Sequence, residues 1–179
     1  KAGTDQGAVA SKTHLEKIEG CVRTALKEGG RLLSGGRRLP GKGWFFEPTL
    51  LEGLGPACRT NQDEIFGPVL GIVRVKNYRE AVDLINAHEF GNGTAIFTRD
   101  GDTARQFEEN VKVGMVGVNV PIPVPMAFHS FGGWKRSLFG DHHVHGPEGV
   151  RFYTRMKAIT QRWPESIGKG SSFTMPVNG

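Results

Sequence analysis

The sequence predicts an α/β fold, with a largely parallel sheet and flanking helices. From residue 69 onward, short apolar runs typical of strands alternate with segments whose apolar residues recur at helical spacing. Polar residues suited to capping precede the helical segments, and glycine-rich turns, drawn from 26 glycines, separate the elements. Alternation of strand and helix builds parallel strands joined by right-handed crossovers, so one sheet of this kind is expected.

The first helix is predicted from a capping-box spacing, Thr13 with Glu16, and is ended by Gly29 and Gly30. Its apolar stripe is formed by Leu15, Ile18, Val22, Ala25 and Leu26. Short strands are expected at residues 31–34 and within 44–51, on either side of a loop over 35–43.

That loop nearly matches a phosphate-binding P-loop. Gly36, Gly41 and Lys42 hold the motif's spacing, but Gly43 stands where the motif needs a hydroxyl for Mg²⁺. The residues that follow are strand-like, whereas the motif needs a helix N-terminus to hold the phosphate. The segment is therefore interpreted as a surface loop.

The second half of the chain contains the predicted alternation of strands and helices. Residues 69–75 vary little in polarity, which predicts a strand buried on both faces. Asn77 with Glu80 caps one helix, and Asp100 opens another. The remaining strands are expected at residues 94–97, 115–120 and 157–163, with a short helix from Pro147 and a Gly/Ser-rich tail at the end of the chain.

A loop over residues 122–140 follows a run of alternate prolines that favours extended chain. Its large side chains can line a pocket or fill a domain interface; they are Met126, Phe128, Phe131, Trp134 and Phe139. Beyond the loop stand His142, His143 and His145. No carboxylate second shell is apparent for these three histidines, so solvated histidines are favoured and no metal site is predicted.

The composition limits the partners and the cellular compartment that can be expected. The net charge of +5 comes from scattered Lys and Arg, which does not indicate nucleic-acid binding and suits anionic ligands. No apolar run of the length of a transmembrane helix occurs, so no membrane partner is expected. Cys21 and Cys58 are far apart, which indicates a reducing compartment such as the cytoplasm.

The turn at residues 63–70 combines a carboxylate and an aromatic ring two residues apart, before a Gly67-Pro68 pair that enters an apolar run. We expect Gly67 to supply freedom in φ. Glu64 can accept hydrogen bonds from the hydroxyls of a ligand, and Phe66 can pack against a flat heterocycle. The alternative is an acidic loop end with Phe66 as an ordinary core residue.

Several segments, taken with this turn, resemble the aldehyde dehydrogenase superfamily. They occur in order along the chain, at residues 46–50, 64–68, 91–98, 114–119 and 131–135. Residues 117–125, 137–141 and 152–154 more narrowly resemble the coenzyme A-acylating methylmalonate-semialdehyde dehydrogenases. The resemblance covers nearly all of residues 1–177.

The resemblance implies a cofactor contact and a part of a larger enzyme. It implies that Glu64 accepts hydrogen bonds from the nicotinamide ribose of NAD, that Phe66 braces the nicotinamide, and that Phe128 and Phe131 line the aldehyde pocket. It also implies that residues 1–150 are part of the catalytic domain and that residues 151–179 are an oligomerisation strand and tail. The catalytic cysteine is then expected upstream of residue 1, and neither Cys21 nor Cys58 lies in a segment similar to the family's nucleophile.

The implied reaction oxidises the aldehyde through a cysteine thioester to an acyl-coenzyme A, with coenzyme A as co-substrate and, for methylmalonate semialdehyde, loss of carbon dioxide to give propionyl-coenzyme A. The enzyme is expected to be a homo-oligomer, dimer or tetramer, in the cytoplasm or, in a eukaryote, the mitochondrial matrix. Two alternatives stay open at this point. One is a non-acylating NAD(P)-dependent aldehyde dehydrogenase, against which residues 120–125 weigh; the other is a non-catalytic assembly module.

Overall fold

The computed structural model describes residues 5–163 and confirms the α/β class. The elements are, in chain order, α1 (Lys12–Lys27), β1 (Arg31–Ser34), β2 (Thr49–Glu52), α2 (Arg59–Gln62), β3 (Val69–Ile72), α3 (Tyr78–Ala87), β4 (Phe90–Gly91), β5 (Gly93–Ile96), α4 (Gly101–Asn110), β6 (Met115–Val118), β7 (Trp134–Lys135) and α5 (Gly146–Tyr153). Among these helices, none is both long and apolar enough to cross a membrane.

The strands form three small sheets in place of the single sheet that the alternation predicts. β2 pairs with β1 in antiparallel and with β3 in parallel orientation, while β5 and β6 form a separate parallel pair. β4 and β7 form an antiparallel pair. Within residues 5–163, no strand pairs with the second edge of β3, so the sheets do not merge into one.

The first core lies between α1 and the chain that leads into β2. Leu15 and Ile18 of α1 are fully buried and pack with Val22 and Phe46. The predicted stripe is right except at Leu26, which is 43% exposed. The predicted cap is wrong: Ser11 takes the extended N-cap conformation, and its hydroxyl accepts from the backbone N–H of His14 at 3.1 Å, so Thr13 lies inside the helix.

The second core lies between α3, α4 and the β5–β6 pair. Val82, Phe107, Val111 and Val113 are buried there. Both predicted caps are confirmed. Asn77 Oδ1 accepts from the N–H of Glu80 at 3.0 Å at the start of α3, and Asp100 caps α4.

The prediction that residues 69–75 form a strand buried on both faces is wrong. β3 ends at Ile72, and Leu70 is 60% exposed. The apolar run lies at the edge of its sheet, where the described chain covers only part of its surface. β6 is likewise shorter than predicted, because Asn119 adopts a φ of 57° directly after Val118 and turns the backbone out of the strand.

The end of the described chain differs from the expectation of a last strand. α5 begins at Gly146, as predicted from Pro147, but residues 154–163 take no helix or strand. An edge strand gains its ladder hydrogen bonds only when a neighbouring strand is present, so pairing with another subunit stays a prediction. The Gly/Ser-rich tail lies outside the described residues.

An ion triad links the three strands of the first sheet. Glu52, at the end of β2, is 6% exposed, and its carboxylate accepts hydrogen bonds from Arg31 of β1 and, at 2.5 Å, from Arg74 just beyond β3. The hydrogen bond from Arg31, followed by that from Arg74, lowers the pKa of Glu52 from its ordinary value of 4.5. The triad therefore stabilises the folded chain only while Glu52 is ionised.

This gives a pH-dependent prediction for Glu52→Gln. A carboxylate whose pKa is lowered by folding contributes stability above its unfolded pKa, and that contribution is lost as the pH falls through the lower folded value. The variant should therefore unfold at lower urea concentration than the parent at neutral pH, and the gap should close as the pH is lowered below the ordinary value of 4.5. Glu16→Gln, at an exposed carboxylate paired with Lys12, is the control that should show no such gap. A gap that persists at low pH contradicts the assignment.

Candidate functional site

The turn that carries Glu64 runs from the end of α2 to the start of β3. Ile65 points inward and packs against the first core, which leaves its neighbours Glu64 and Phe66 exposed. Lys17 of α1 holds the turn from outside by donating to the backbone carbonyl of Glu64 at 2.8 Å. A partly buried residue between two exposed ones therefore presents the carboxylate and the ring together.

Gly67 serves close packing instead of the freedom in φ that the sequence predicts. A Cβ at this position would lie 2.6 Å from Cδ1 of the fully buried Ile18, so any side chain there would force Ile18 to move within the core. The positive φ belongs to Phe66, at 56°. A left-handed conformation costs a non-glycine residue about 1–2 kcal/mol, and such strain tends to occur at functional positions.

The ring of Phe66 is not part of the core, so the alternative stated for it is wrong. It is 77% exposed, and the ring nearest to it is that of His14, with 6.5 Å between the centroids. An exposed aromatic face is held here by a strained backbone, which makes it available to pack on a planar ligand.

Two cavities meet at Glu64. The first has a volume of about 330 Å³ and is also lined by Phe66, so the structure brings together the two residues predicted to contact the cofactor. The second, of about 610 Å³, is lined by Glu64 together with His88, Arg136 and Phe139 among others. Within residues 5–163, no hydrogen bond is made to the carboxylate of Glu64, which leaves its oxygens able to accept from a diol.

Phe128 and Phe131 form a separate group and line neither cavity at Glu64. The ring of Phe131 stacks on His145, with centroids 4.5 Å apart and an interplanar angle of 7°, while Phe128 is 69% exposed. The start of α5 supports this loop, since the N–H of Gly146 donates to the carbonyl of Ala127 at 3.2 Å. Their assignment to a substrate pocket stays a prediction.

The loop also makes backbone contact with the second core. A Cβ on Gly114, just before β6, would lie 1.8 Å from the carbonyl oxygen of Gly132. Only a glycine permits this approach, and it fixes the loop next to Phe131 against the start of β6.

Lys135 was not identified from the sequence. It lies in β7 and its amine donates to three carbonyls at the end of α3, those of Ile85 at 3.2 Å, Asn86 at 3.1 Å and His88 at 2.9 Å. Burial, followed by the charge of Lys112, lowers its pKa. The missed signal is that no glycine follows α3, so its last carbonyls need a donor from elsewhere in the chain.

The residues after Lys135 lie beside the larger cavity. Arg136 forms an ion pair with Glu89, and its guanidinium lies 5.4 Å from the centre of the Phe90 ring. The hydroxyl of Ser137 accepts from the N–H of Gly91 at 3.1 Å. These contacts fix one wall of the cavity through the short β4–β7 pair.

The cysteines occupy packing positions. Cys58 is 7% exposed in a cluster with Ala25, Leu51 and Leu54, and its thiol donates to the carboxylate of Glu28. Arg59, the residue that can activate a neighbouring thiol, pairs with Asp63 at 2.8 Å instead. Cys21 lies on α1 and is half-buried.

The histidines after the loop have partners that the sequence does not reveal. His142 contacts Glu148, which also pairs with Arg151 at 2.5 Å; the contact with His142 is the main reason that the pKa of Glu148 is lowered. The expectation of no carboxylate beside these histidines is therefore wrong. In the part of the chain that the structure describes, no group of three or more His, Cys, Asp or Glu is placed to hold a metal ion.

Comparisons with known proteins agree with one another. The model of the aldehyde dehydrogenase family matches residues 1–159. A malonate-semialdehyde dehydrogenase from Pseudomonas aeruginosa is 51% identical over 97% of this chain and 36% of its own length. The chain therefore spans little more than a third of that relative.

Solved structures of related dehydrogenases also match this chain. The crystal structure of methylmalonate-semialdehyde dehydrogenase from Oceanimonas doudoroffii matches with a TM-score of 0.88 and 51% identity, over 93% of this chain and 35% of the other. A structure from Sinorhizobium meliloti 1021, described as a methylmalonate-semialdehyde dehydrogenase complexed with NAD, matches with a TM-score of 0.86 and 47% identity, over 92% of this chain and 34% of the other.

Proposed function

The chain belongs to the aldehyde dehydrogenase family, and from that premise we propose that it works as part of an NAD-dependent, coenzyme A-acylating methylmalonate-semialdehyde or malonate-semialdehyde dehydrogenase. The observation that carries the proposal is the 51% identity to the Pseudomonas aeruginosa malonate-semialdehyde dehydrogenase across 97% of the chain. Identity at that level over nearly the whole chain favours a shared substrate class.

The reaction proceeds through a covalent thioester. A cysteine thiolate adds to the aldehyde carbon, hydride leaves that carbon for NAD⁺, and the acyl group passes from the cysteine sulfur to the thiol of coenzyme A. The cysteine comes from the part of the enzyme beyond this chain. Cys58 is buried against Glu28, and Cys21 lies on α1, so neither is presented to a substrate.

The contribution of this chain is to hold the nicotinamide end of NAD. The exposed carboxylate of Glu64 accepts hydrogen bonds from the two ribose hydroxyls, and the ring of Phe66 packs on the nicotinamide side. These two groups fit this ligand, because within residues 5–163 the carboxylate has no other hydrogen-bond partner and the ring is 77% exposed. The similar structure from Sinorhizobium meliloti, complexed with NAD, supports this choice of cofactor.

The loop over residues 122–140 is proposed to contact the aldehyde, and coenzyme A is proposed as the acyl acceptor. Phe128 and Phe131 form an apolar wall for the aldehyde, held in place by the start of α5. The choice of coenzyme A over water as acyl acceptor rests on the resemblance of residues 120–125 to the acylating enzymes, and the net charge of +5 suits an anionic co-substrate.

The enzyme is a homo-oligomer, dimer or tetramer, in which residues 157–163 form a strand with a neighbouring subunit. These residues are exposed and form no strand within residues 5–163, which agrees with such a role. The enzyme acts in the cytoplasm, or in the mitochondrial matrix of a eukaryote.

Glu64→Gln tests the cofactor contact. In an enzyme of full family length that carries this chain, we expect the variant to fold normally and to lose about 1–3 kcal/mol of transition-state stabilisation, the contribution of one charged hydrogen bond. Steady-state kinetics with NAD as the varied substrate and a direct NAD-binding titration measure the loss.

The matched control is Glu16→Gln. It makes the same chemical change at an exposed carboxylate of α1 that pairs with Lys12 and lines neither cavity at Glu64. It should leave the NAD kinetics unchanged. If Glu64→Gln shows the parent's kcat and the parent's NAD affinity, Glu64 does not contact the cofactor.

A further inference from the structure

His88 links the helix that precedes Glu64 to the β4–β7 pair. It follows α3 directly, and its Nε2 lies 2.9 Å from the backbone carbonyl oxygen of Asn61. On the other side of the ring, the backbone N–H of Phe90 donates to Nδ1 at 3.1 Å. Because that N–H can only donate, Nδ1 is the acceptor nitrogen, and the proton lies on Nε2, which donates to Asn61.

The carbonyl of Asn61 lies at the end of α2, where no helical partner is available to it. α2 is a single turn, Arg59–Gln62, and it ends in extended backbone at Asp63. Asn61 is held at its side chain as well, by donation to the carbonyl of Gly55 at 2.9 Å. The bond from His88 therefore ties down the residue three positions before Glu64.

His88 is itself held firmly. Its own carbonyl accepts from the amine of Lys135 at 2.9 Å, so its backbone is fixed as well as both ring nitrogens. The ring lines the same 610 Å³ cavity as Glu64. A rigid side chain thus stands between the β4–β7 wall of the cavity and the turn that presents the carboxylate.

We infer that His88 is a positioning residue, whose Nε2–H holds the end of α2 and thereby sets the place of the Glu64 carboxylate in the cavity. The inference rests on the proposed contact between Glu64 and NAD. The donor half of the ring faces the Glu64 turn, whereas the acceptor half faces Phe90, so the two halves have separable effects.

Two variants separate the roles of the Nε2 donor and the Nδ1 acceptor of His88, in an enzyme of full family length that carries this chain. His88→Gln keeps an amide N–H donor at about the reach of Nε2, and His88→Asn keeps an oxygen acceptor at about the place of Nδ1. We expect His88→Asn to lower kcat/KM for NAD about 3–10-fold, the effect of one lost neutral hydrogen bond. His88→Gln should stay within about twofold of the parent, and KM for the aldehyde should not change in either variant.

A purely structural role gives a different result. Loss of local stability lowers the melting temperature and the active fraction of both variants alike, without a selective effect on NAD. Equal kinetics in His88→Gln and His88→Asn overturns the inference.

The double variant His88→Asn with Glu64→Gln decides whether His88 acts through Glu64. If it does, His88→Asn causes no further loss of kcat/KM for NAD once the Glu64 carboxylate is gone. Losses that multiply overturn the inference while the proposed function stands. Parent-like NAD kinetics in Glu64→Gln alone overturns the proposed contact, and the positioning role falls with it.

Discussion

Residues 1–179, purified alone, are expected to form no NADH from methylmalonate semialdehyde, with or without coenzyme A. Catalysis of hydride transfer requires a nucleophile, the aldehyde and the nicotinamide to be held in one geometry, and within residues 5–163 the proposed contacts, Glu64 and Phe66, lie at the nicotinamide end alone. Its buried cysteine, Cys58, donates to Glu28 and does not face the cavities at Glu64. NADH absorbance measures the outcome, with an enzyme of full family length as the positive control.

The same preparation should bind NAD only weakly, because a lone carboxylate and an aromatic ring contact one end of a large ligand. Isothermal titration calorimetry with NAD tests this. Turnover by the isolated chain that disappears in Cys58→Ser is the result that contradicts the proposed role, since it makes that cysteine the nucleophile.

Phe46→Ala is expected to lower the free energy of unfolding by about 3–5 kcal/mol, the usual cost of removing a buried phenylalanine. The ring of Phe46 is 2% exposed and packs with Leu15, Ile18 and Val22 at the centre of the first core. The surrounding helix and strands cannot collapse into the space without moving α1, so a cavity remains. Urea unfolding followed by tryptophan fluorescence reports the change, because Trp44 packs against this cluster.

Phe45→Ala is the matched control. It makes the same chemical change at the adjacent residue, whose side chain is 38% exposed. Its loss of stability should be less than half that of Phe46→Ala. Equal losses for the two variants contradict the assignment of Phe46 to the core.

The longer helices α1, α3 and α4 were predictable because their signals are local, whereas the single turn α2 was not predicted. The apolar stripe of α1 and the caps of α3 and α4 require only residues within a few positions of one another, and the structure has each helix where the pattern indicates it. The error at the start of α1 is of the same local kind: Ser11 and Thr13 are both capping residues, and their spacing does not say which one leaves the helix.

The sheets were less predictable, because strand burial depends on what lies beside the strand. The apolar run of β3 indicates two covered faces, but Leu70 is exposed at the sheet edge. β7 lies within a stretch predicted as loop, and its two residues pair with β4 over a separation of more than forty positions. No local pattern specifies such a pairing.

The candidate site shows the same difference between local and long-range signals. Glu64 and Phe66 were found from one short stretch and a resemblance, and the structure places them at one cavity. His88 and Lys135 were missed, because their importance comes from carbonyls that distant helices leave unsatisfied. Residues that contact a ligand are therefore easier to identify from the sequence than residues that position other residues.

The glycine contact between residues 114 and 132 has a mechanical consequence. Two backbones that touch without a side chain between them leave no room for one to move independently of the other, and protein interiors compress very little. The first residues of β6 therefore block any movement of the loop next to Phe131 toward Gly114. A molecule that pushes the loop in that direction is expected to meet resistance from the β5–β6 pair.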